Sequence, residues 1–287
     1  MNAARTEPAG RVLLVGHVCL DDLGDPEPRL GGTVWFAAAE ALHLGWEVTI
    51  RTACTDGTAR RLEAALDRRV RVSNAGSPVD TTFRFRGGLE SGPTSTVAVA
   101  DAIEDLGPLA AERFDLVHLG PIADELGPGA VAAALDGPGF VGLTPQGAMR
   151  ELGAGRDLAL HDLPLDRRYQ EVDALVVNER EQEVLAAGTF LAAYPGLVFV
   201  THGSAGASVG RGGEPLGRHA PRTAGGLAPL HRDIGAGDVF ALTAFAALAT
   251  GADAAGAVAR SVDGAAAFVH RPSADPLAPR TPAAATS

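Results

Sequence analysis

An α/β layered domain with a mostly parallel central sheet is the fold class predicted for this chain, and three observations predict it. Short apolar runs such as Arg11–Val15, Leu116–Leu119 and Ala174–Val177 lack polar–apolar alternation, as strands covered on both faces do. Ala-rich segments lie between many of them, so strands and helices alternate along the chain. Aromatic residues are only 5% of the 287 residues, against 46% hydrophobic, so the core is built from Ala, Val and Leu, which suits helices packed on a sheet.

The elements follow in order. Residues 1–10 read as a loose leader. Arg11–Val15 is the first strand and stops at Gly16. A polar, Pro-containing stretch, Asp21–Arg29, leads to the pair Gly31-Gly32, and Thr33–Leu44 is then an Ala-rich helix ended by Gly45. Val48–Thr52 is a strand, Thr58–Leu66 a helix and Val70–Ser73 a short strand. The texture changes over residues 81–100. Thr81–Arg86 alternates Thr, Phe and Arg, Gly87-Gly88 and Ser91-Gly92-Pro93 follow, and Thr94–Ala100 alternates again; this is an exposed β-hairpin, a small reduced lid. Strands return at Leu116–Leu119, Phe140–Leu143, Ala174–Val177 and Leu197–Thr201, with helices in the gaps. Val209 to Leu230 reads as small antiparallel strands and turns, and Asp238–Thr250 and Ala254–Phe268 as two Ala-rich helices. Residues 1–271 form a single α/β domain on this reading, and 272–287, rich in Pro, Ala and Thr, a flexible tail.

Charge narrows the function classes. The 24 basic residues are all arginine, against 35 acidic ones, for a net charge of −11. That balance excludes a general nucleic-acid binder, which needs a basic surface, but a local cluster of arginines still suits an anionic substrate. No segment reaches the roughly 18 consecutive apolar residues of a membrane span. The first apolar run, Val12–Val15, is too short for a signal peptide. Two cysteines, Cys19 and Cys54, are too few for a disulfide framework, so a reducing, cytoplasmic setting is expected.

Chemistry concentrates in Asp233-Ile234-Gly235-Ala236-Gly237-Asp238. Glycines let a backbone come close to a ligand and aim successive N–H groups at one point, and the helix that follows adds its positive end. Such a turn holds negative charge on a transferring group. Asp238 then sits in the first helical turn, where a carboxylate takes the proton of an attacking hydroxyl. The competing reading is a Gly-rich helix start with Asp238 completing the dipole. Asn178 and Glu181 follow the strand Ala174–Val177 at its carboxyl end, where α/β folds place ligands. They read equally as an N-cap and its capping box, and the two roles are compatible. Asp21, with Asp22 as competitor, suits two hydroxyls of a polyol or the cap of a loop turn. Gly31 and Gly32 suit close approach of substrate or a plain turn. Trp35 and Phe36 suit pocket lining or helix packing.

Gly-Ala-Gly-Asp before an apolar, Ala-rich helix resembles the C-terminal signature of the ribokinase/PfkB sugar-kinase family. Other elements resemble that family in order. Gly16-His17-Val18-Cys19-Leu20-Asp21 is similar to its first strand ending in Gly with a substrate-binding Asp. Gly31-Gly32 is similar to its substrate-side Gly pair, Asn178-Glu179-Arg180-Glu181 to its Asn-x-x-Glu motif, and Thr201-His202-Gly203 with Gly206 to its nucleotide-contacting turn. The resemblance runs from Gly16 to Asp238. It implies a ribokinase-like α/β/α fold and an ATP-dependent kinase of a sugar, cyclitol or nucleoside, acting as monomer or homodimer; charge and hydropathy add the expectation of no membrane or nucleic-acid partner. It implies Asp238 as base, the amides of Gly235, Ala236 and Gly237 at the transferred group, Asp21, Gly31 and Gly32 on the acceptor, Asn178, Thr201, Gly203 and Gly206 on the nucleotide, and Glu181 holding Mg²⁺ through water.

The chain departs from the family at several places. Arg232-Asp233-Ile234 stands where the family has Asp-Thr-x, which removes the basis for potassium activation. Phe36 stands in place of an Asn, and Thr144-Pro145-Gln146-Gly147-Ala148-Met149-Arg150 resembles a stretch of the inositol-kinase branch, which makes Arg150 a candidate for substrate or phosphate, against the plain alternative of a surface arginine. Asp21–Gly31 is short for the two lid strands usual there. Asp263 lies near where the family often has an Asn by the adenine. A non-catalytic ligand-binding protein on the same scaffold is the rival class. A dinucleotide oxidoreductase is set aside, because Gly16-His17-Val18-Cys19 lacks the G-x-G-x-x-G turn.

Overall fold

In the computed structural model the described residues are 8–66, 70–85, 95–151, 159–163, 168–221, 233–271, 273 and 275–278. The chain runs β1 (Arg11–Val15), β2 (Cys19–Asp22), β3 (Arg29–Gly31), α1 (Thr33–His43), β4 (Glu47–Thr52), α2 (Asp56–Ala65), β5 (Val70–Asn74), β6 (Thr81–Arg84) and β7 (Ser95–Ala98). It continues through β8 (Leu116–Leu119), α3 (Pro128–Leu135), β9 (Phe140–Leu143), β10 (Arg150–Glu151), β11 (Ala159–Leu160), β12 (Ala174–Asn178), α4 (Glu179–Ala187) and α5 (Phe190–Ala193). β13 (Leu197–Thr201), β14 (Ala207–Arg211), β15 (Glu214–His219), α6 (Ala236–Ala249) and α7 (Ala254–Val269) complete it.

Nine strands form the main sheet in the order β15-β14-β13-β12-β9-β8-β1-β4-β5. β13 through β5 are parallel; β14 and β15 fold back antiparallel. Alternate residues of β1 enter different cores. Val12 and Leu14 pack with α1, α6 and α7, while Leu13 and Val15 pack with α3 and α5 on the opposite face. Both faces are covered, which is why β1 is apolar throughout.

The chain winds outward from β1 to β4 and β5, then returns to lay β8 on the other side of β1. That reversal opens a crevice at the carboxyl ends of β1 and β8, the place where open α/β sheets bind ligands.

A second sheet, β3-β2-β6-β7, sits over this end. The small β lid expected from residues 81–100 is present, but it has four strands rather than one hairpin. Asp21–Gly31 is long enough after all, because β2 and β3 are only four and three residues long. The hairpin is also less exposed than its alternation implies. Thr81, Phe83, Ser95 and Thr96 are buried against the domain, and Val97 and Val99 face out. Residues 86–94 of the expected hairpin lie outside the described residues.

Two further differences are local. The interval between β9 and β12 holds no described α-helix, only 3₁₀ turns at Pro145–Met149 and Tyr169–Glu171 and the pair β10–β11. Pro145 starts the first turn, and Gly147 lies against the backbone of Pro121 and Ile122, where a side chain would not fit. In the expected tail, Leu277 packs on the core, so its apolar side chain anchors the chain beyond α7. Most of the tail, the leader through residue 7, and the stretch 222–232 with Arg232 lie outside the described residues.

Candidate active site

A cavity of about 290 Å³ opens at the crevice, lined by Asp21, Gly32, Gln146, Arg150, Gly235 and Asp238 among others. Five of the residues singled out in the sequence therefore meet in one place, although they lie up to 217 positions apart. Each arrives by a different route.

Asp21 is in β2, directly after the crevice end of β1. It is 7% exposed, and its Oδ1 accepts from the Cys19 thiol at 3.3 Å. Its carboxylate occupies the space a side chain on Gly31 would need: a Cβ there falls 2.6 Å from the Asp21 Cγ. Gly31 thus leaves that space to the Asp21 carboxylate. Gly32 has φ +90° and is the N-cap of α1, a conformation glycine adopts without strain. Asp22, the competitor, points outward and pairs with Arg84 at 2.9 Å. Burial pushes the Asp21 carboxyl up to about 6, partly opposed by the Cys19 hydrogen bond and by Arg150.

Asp238 lies in the first turn of α6. Gly235, at φ +84°, is the left-handed cap that starts the helix, and the Phe36 ring packs where its Cβ would stand. Phe36 therefore serves packing and pocket at once; it also meets Phe268 edge-on at 6.2 Å. Burial raises the Asp238 carboxyl to about 6; Thr33 and Arg150 pull it down and Asp21 and Glu181 push it up. The amides divide differently from the sequence reading. The Ala236 N–H already donates to Asp233 O at 2.9 Å, closing the turn, so it is not free for a ligand. Gly237 and Asp238, one step into the helix, have no backbone acceptor for their N–H groups among the described residues.

Arg150 is 8% exposed, not a surface arginine. It donates to Ile122 O at 3.0 Å and lies over the Phe83 ring of the lid, 5.3 Å from its centre. Burial lowers its pKa, while Glu181, Cys19, Asp238 and Glu125 hold it up. Glu125, which nothing in its local sequence marked, accepts from the amides of His17, Ile122 and Ala123 at 2.7–3.1 Å. Ile122 is thus held by both of its backbone polar groups, its N–H by Glu125 and its carbonyl by Arg150.

At the carboxyl end of β12, Asn178 and Glu181 form the expected capping box at the start of α4. A helix start needs no more, yet Gln146 reaches across to donate to Glu181 Oε1 at 2.9 Å. That oxygen also takes the Asn178 side-chain amide at 2.9 Å, and Oε2 takes the Asn178 backbone N–H at 3.0 Å. Oε1 is filled and Oε2 keeps one lone pair, so the residues fit an ion bound through water, not direct ligation by several oxygens. Among the described residues no group of three or more His, Cys, Asp or Glu forms a metal cage. Burial raises the Glu181 carboxyl.

Thr201 pairs with Asn178 across β12–β13, at the same sheet end but outside the cavity. Gly203 and Gly206 form the exposed turn beyond it, where the His202 N–H donates to Gly206 O at 2.8 Å and the His202 ring bridges Glu179 and Ser208, both at 2.9 Å. Asp263 sits 3.5 Å from His219.

One stability consequence follows from Asp21. A carboxyl raised from 3.8 to about 6 is destabilised by folding whenever it is charged. The cost is absent below about 4, grows through the window from 3.8 to 6, and is complete at pH 7, at about 1–3 kcal/mol. Asp21→Asn, which keeps an acceptor for Cys19, is expected to raise the thermal midpoint at pH 7 and not at pH 4. Calorimetry at the two pH values checks this.

No protein-family model and no curated protein sequence matches the chain. Solved structures do. A variant of a pyrophosphate-dependent myo-inositol-1 kinase, converted to a myo-inositol-3 kinase by two substitutions, has a TM-score of 0.74 at 20% identity, over 91% of this chain and 94% of its own. Ribokinase from Thermotoga maritima has 0.65 at 18%, over 94% and 96%. Adenosine kinase from Sinorhizobium meliloti has 0.64 at 16%, over 92% and 95%. At these identities the likeness shows the fold, and the fold is that of the ribokinase-family kinases.

Proposed function

We propose that the chain is a kinase that transfers the terminal phosphoryl group of ATP to a hydroxyl of a sugar or cyclitol. One observation carries the reading: Asp21, Arg150 and Asp238 surround a single cavity at the N-terminus of a helix with free amides. Asp21 accepts hydrogen bonds from acceptor hydroxyls. Asp238 takes the proton of the attacking one. The amides of Gly237 and Asp238 and the Arg150 guanidinium face the charge on the transferring group. Asn178, Thr201 and the Gly203–Gly206 turn hold the donor phosphates. Glu181 would hold Mg²⁺ through water, and the ion would supply positive charge against the phosphates.

Two specific observations favour second readings within the same chemistry. The inositol kinase neighbour is pyrophosphate-dependent, which makes pyrophosphate the rival donor. The adenosine kinase neighbour makes a nucleoside the rival acceptor. A single domain ending near residue 271, a monomer or homodimer, and a cytoplasmic site belong to the same proposal; the buried free thiols of Cys19 and Cys54 support the last. Incubation with ATP or pyrophosphate and myo-inositol, ribose or adenosine, read by product mass, tests it. A phosphorylated cyclitol or sugar is expected with ATP. Tight acceptor binding with no transfer from either donor would favour a non-catalytic protein instead.

A further inference from the structure

A second cavity, about 540 Å³, adjoins the first and shares Asp21, Phe36 and Ile234 with it. Its walls come from the lid, α1, α2 and the chain beyond α7. Trp35, Phe36 and Leu277 make one side apolar, and Arg29, Arg61 and Arg271 line the rest. Three guanidiniums around one cavity stand out in a chain of net charge −11.

The negative groups there are largely occupied. Asp21 faces Cys19 and Gly31, and Asp275 turns back to accept the Leu277 N–H at 2.9 Å. Among the positive ones, Arg271 is 3% exposed and stacks on Phe268. Arg29 pairs with Asp25 at 2.6 Å, with both side chains about half exposed, a surface pair that an incoming anion can displace. Arg61 gives one N–H to Pro28 O and has no carboxylate partner among the described residues. Its other N–H groups are available to an oxyanion in the forked geometry guanidinium favours.

We infer that this cavity is the outer half of the acceptor site and that the preferred acceptor carries an anionic substituent, a phosphate ester or a carboxylate, away from the hydroxyl that reacts. The inference rests on the kinase reading above. The polyol ring lies between Asp21 and Asp238, and its anionic arm passes Phe36 toward Arg29 and Arg61.

The test compares kcat/KM for myo-inositol, a myo-inositol monophosphate and a hexuronate, each with ATP and with pyrophosphate, in the wild type and in Arg61→Ala and Arg29→Ala. The expected result is a preference of about tenfold or more for an anionic acceptor, the size of a charge-assisted hydrogen bond, weakening with salt and lost in Arg61→Ala. The phosphate and carboxylate arms identify which anion is preferred. Equal kcat/KM for all three acceptors, or a preference that survives both substitutions, overturns the subsite and leaves the kinase reading standing. No transfer to any acceptor overturns the kinase reading, and calorimetric binding of the inositol monophosphate then decides the subsite separately: binding abolished by Arg61→Ala supports it, and no binding removes it.

Discussion

Asp238→Asn is expected to lower turnover by a factor of about 10² or more while the donor still binds, the range for losing a positioned base. The substitution keeps shape and hydrogen-bonding capacity beside Thr33 but removes the proton acceptance that the carboxylate supplies. The same group sets the pH dependence. Its carboxyl sits at about 6, so the base form dominates at pH 7 and is lost as pH falls through 6. The wild-type rate should therefore drop on the acid side near pH 6, with Asp21 titrating in the same range. Steady-state rates from pH 5 to 8, with donor affinity measured by calorimetry, check both statements. A near-normal rate for Asp238→Asn removes Asp238 from the base role.

Arg150→Met has the second large effect. The guanidinium is the buried cation facing Asp21, Asp238, Glu181 and Glu125. Taking it away leaves buried carboxylates uncompensated, which costs about 3–5 kcal/mol, or roughly 6–20 °C in the thermal midpoint for a chain of this size. Coulombic attraction from Arg150 also holds the Asp21 and Asp238 carboxyls down, so without it both titrate higher and the acid-side drop in rate moves toward neutral pH. Arg150→Lys separates charge from geometry. It keeps the cation and most of the stability, but a point charge lacks the planar fork that spans Ile122 O and an oxyanion, so activity stays well below wild type. Full activity in Arg150→Lys would confine the residue to a structural role.

The sheet was legible because inner strands such as β1, β12 and β13 are apolar on both faces, and the seven parallel strands lie within a residue or two of their expected limits. The lid was half legible. β2 and β3 are too short and too mixed in polarity to show a period, and the buried face of β6 hides behind alternating Thr and Arg. In the site, Asp238, Asp21 and the capping box were visible as local strings. Glu125 was not, because its partners are backbone amides at His17, Ile122 and Ala123, and an amide carries no sequence signal. The role of Phe36 needed tertiary contact as well. Its ring fills the space left by Gly235, about 200 positions away, so an aromatic at that helix position and a glycine at the other explain each other. The backbone partner of the Ala236 N–H was hidden for a similar reason, since the carbonyl that accepts it comes from the turn itself.

The central claim is that one acceptor hydroxyl meets Asp238 while the transferring group meets the start of α6. A crystal structure with a polyol acceptor and a non-transferable donor analogue tests it most directly. The account predicts a hydroxyl oxygen within about 2.6–3.2 Å of an Asp238 carboxylate oxygen, with the terminal phosphoryl on the Gly237 and Asp238 amides. An acceptor bound with no hydroxyl near Asp238, or a donor whose terminal phosphoryl lies away from that helix end, would contradict it.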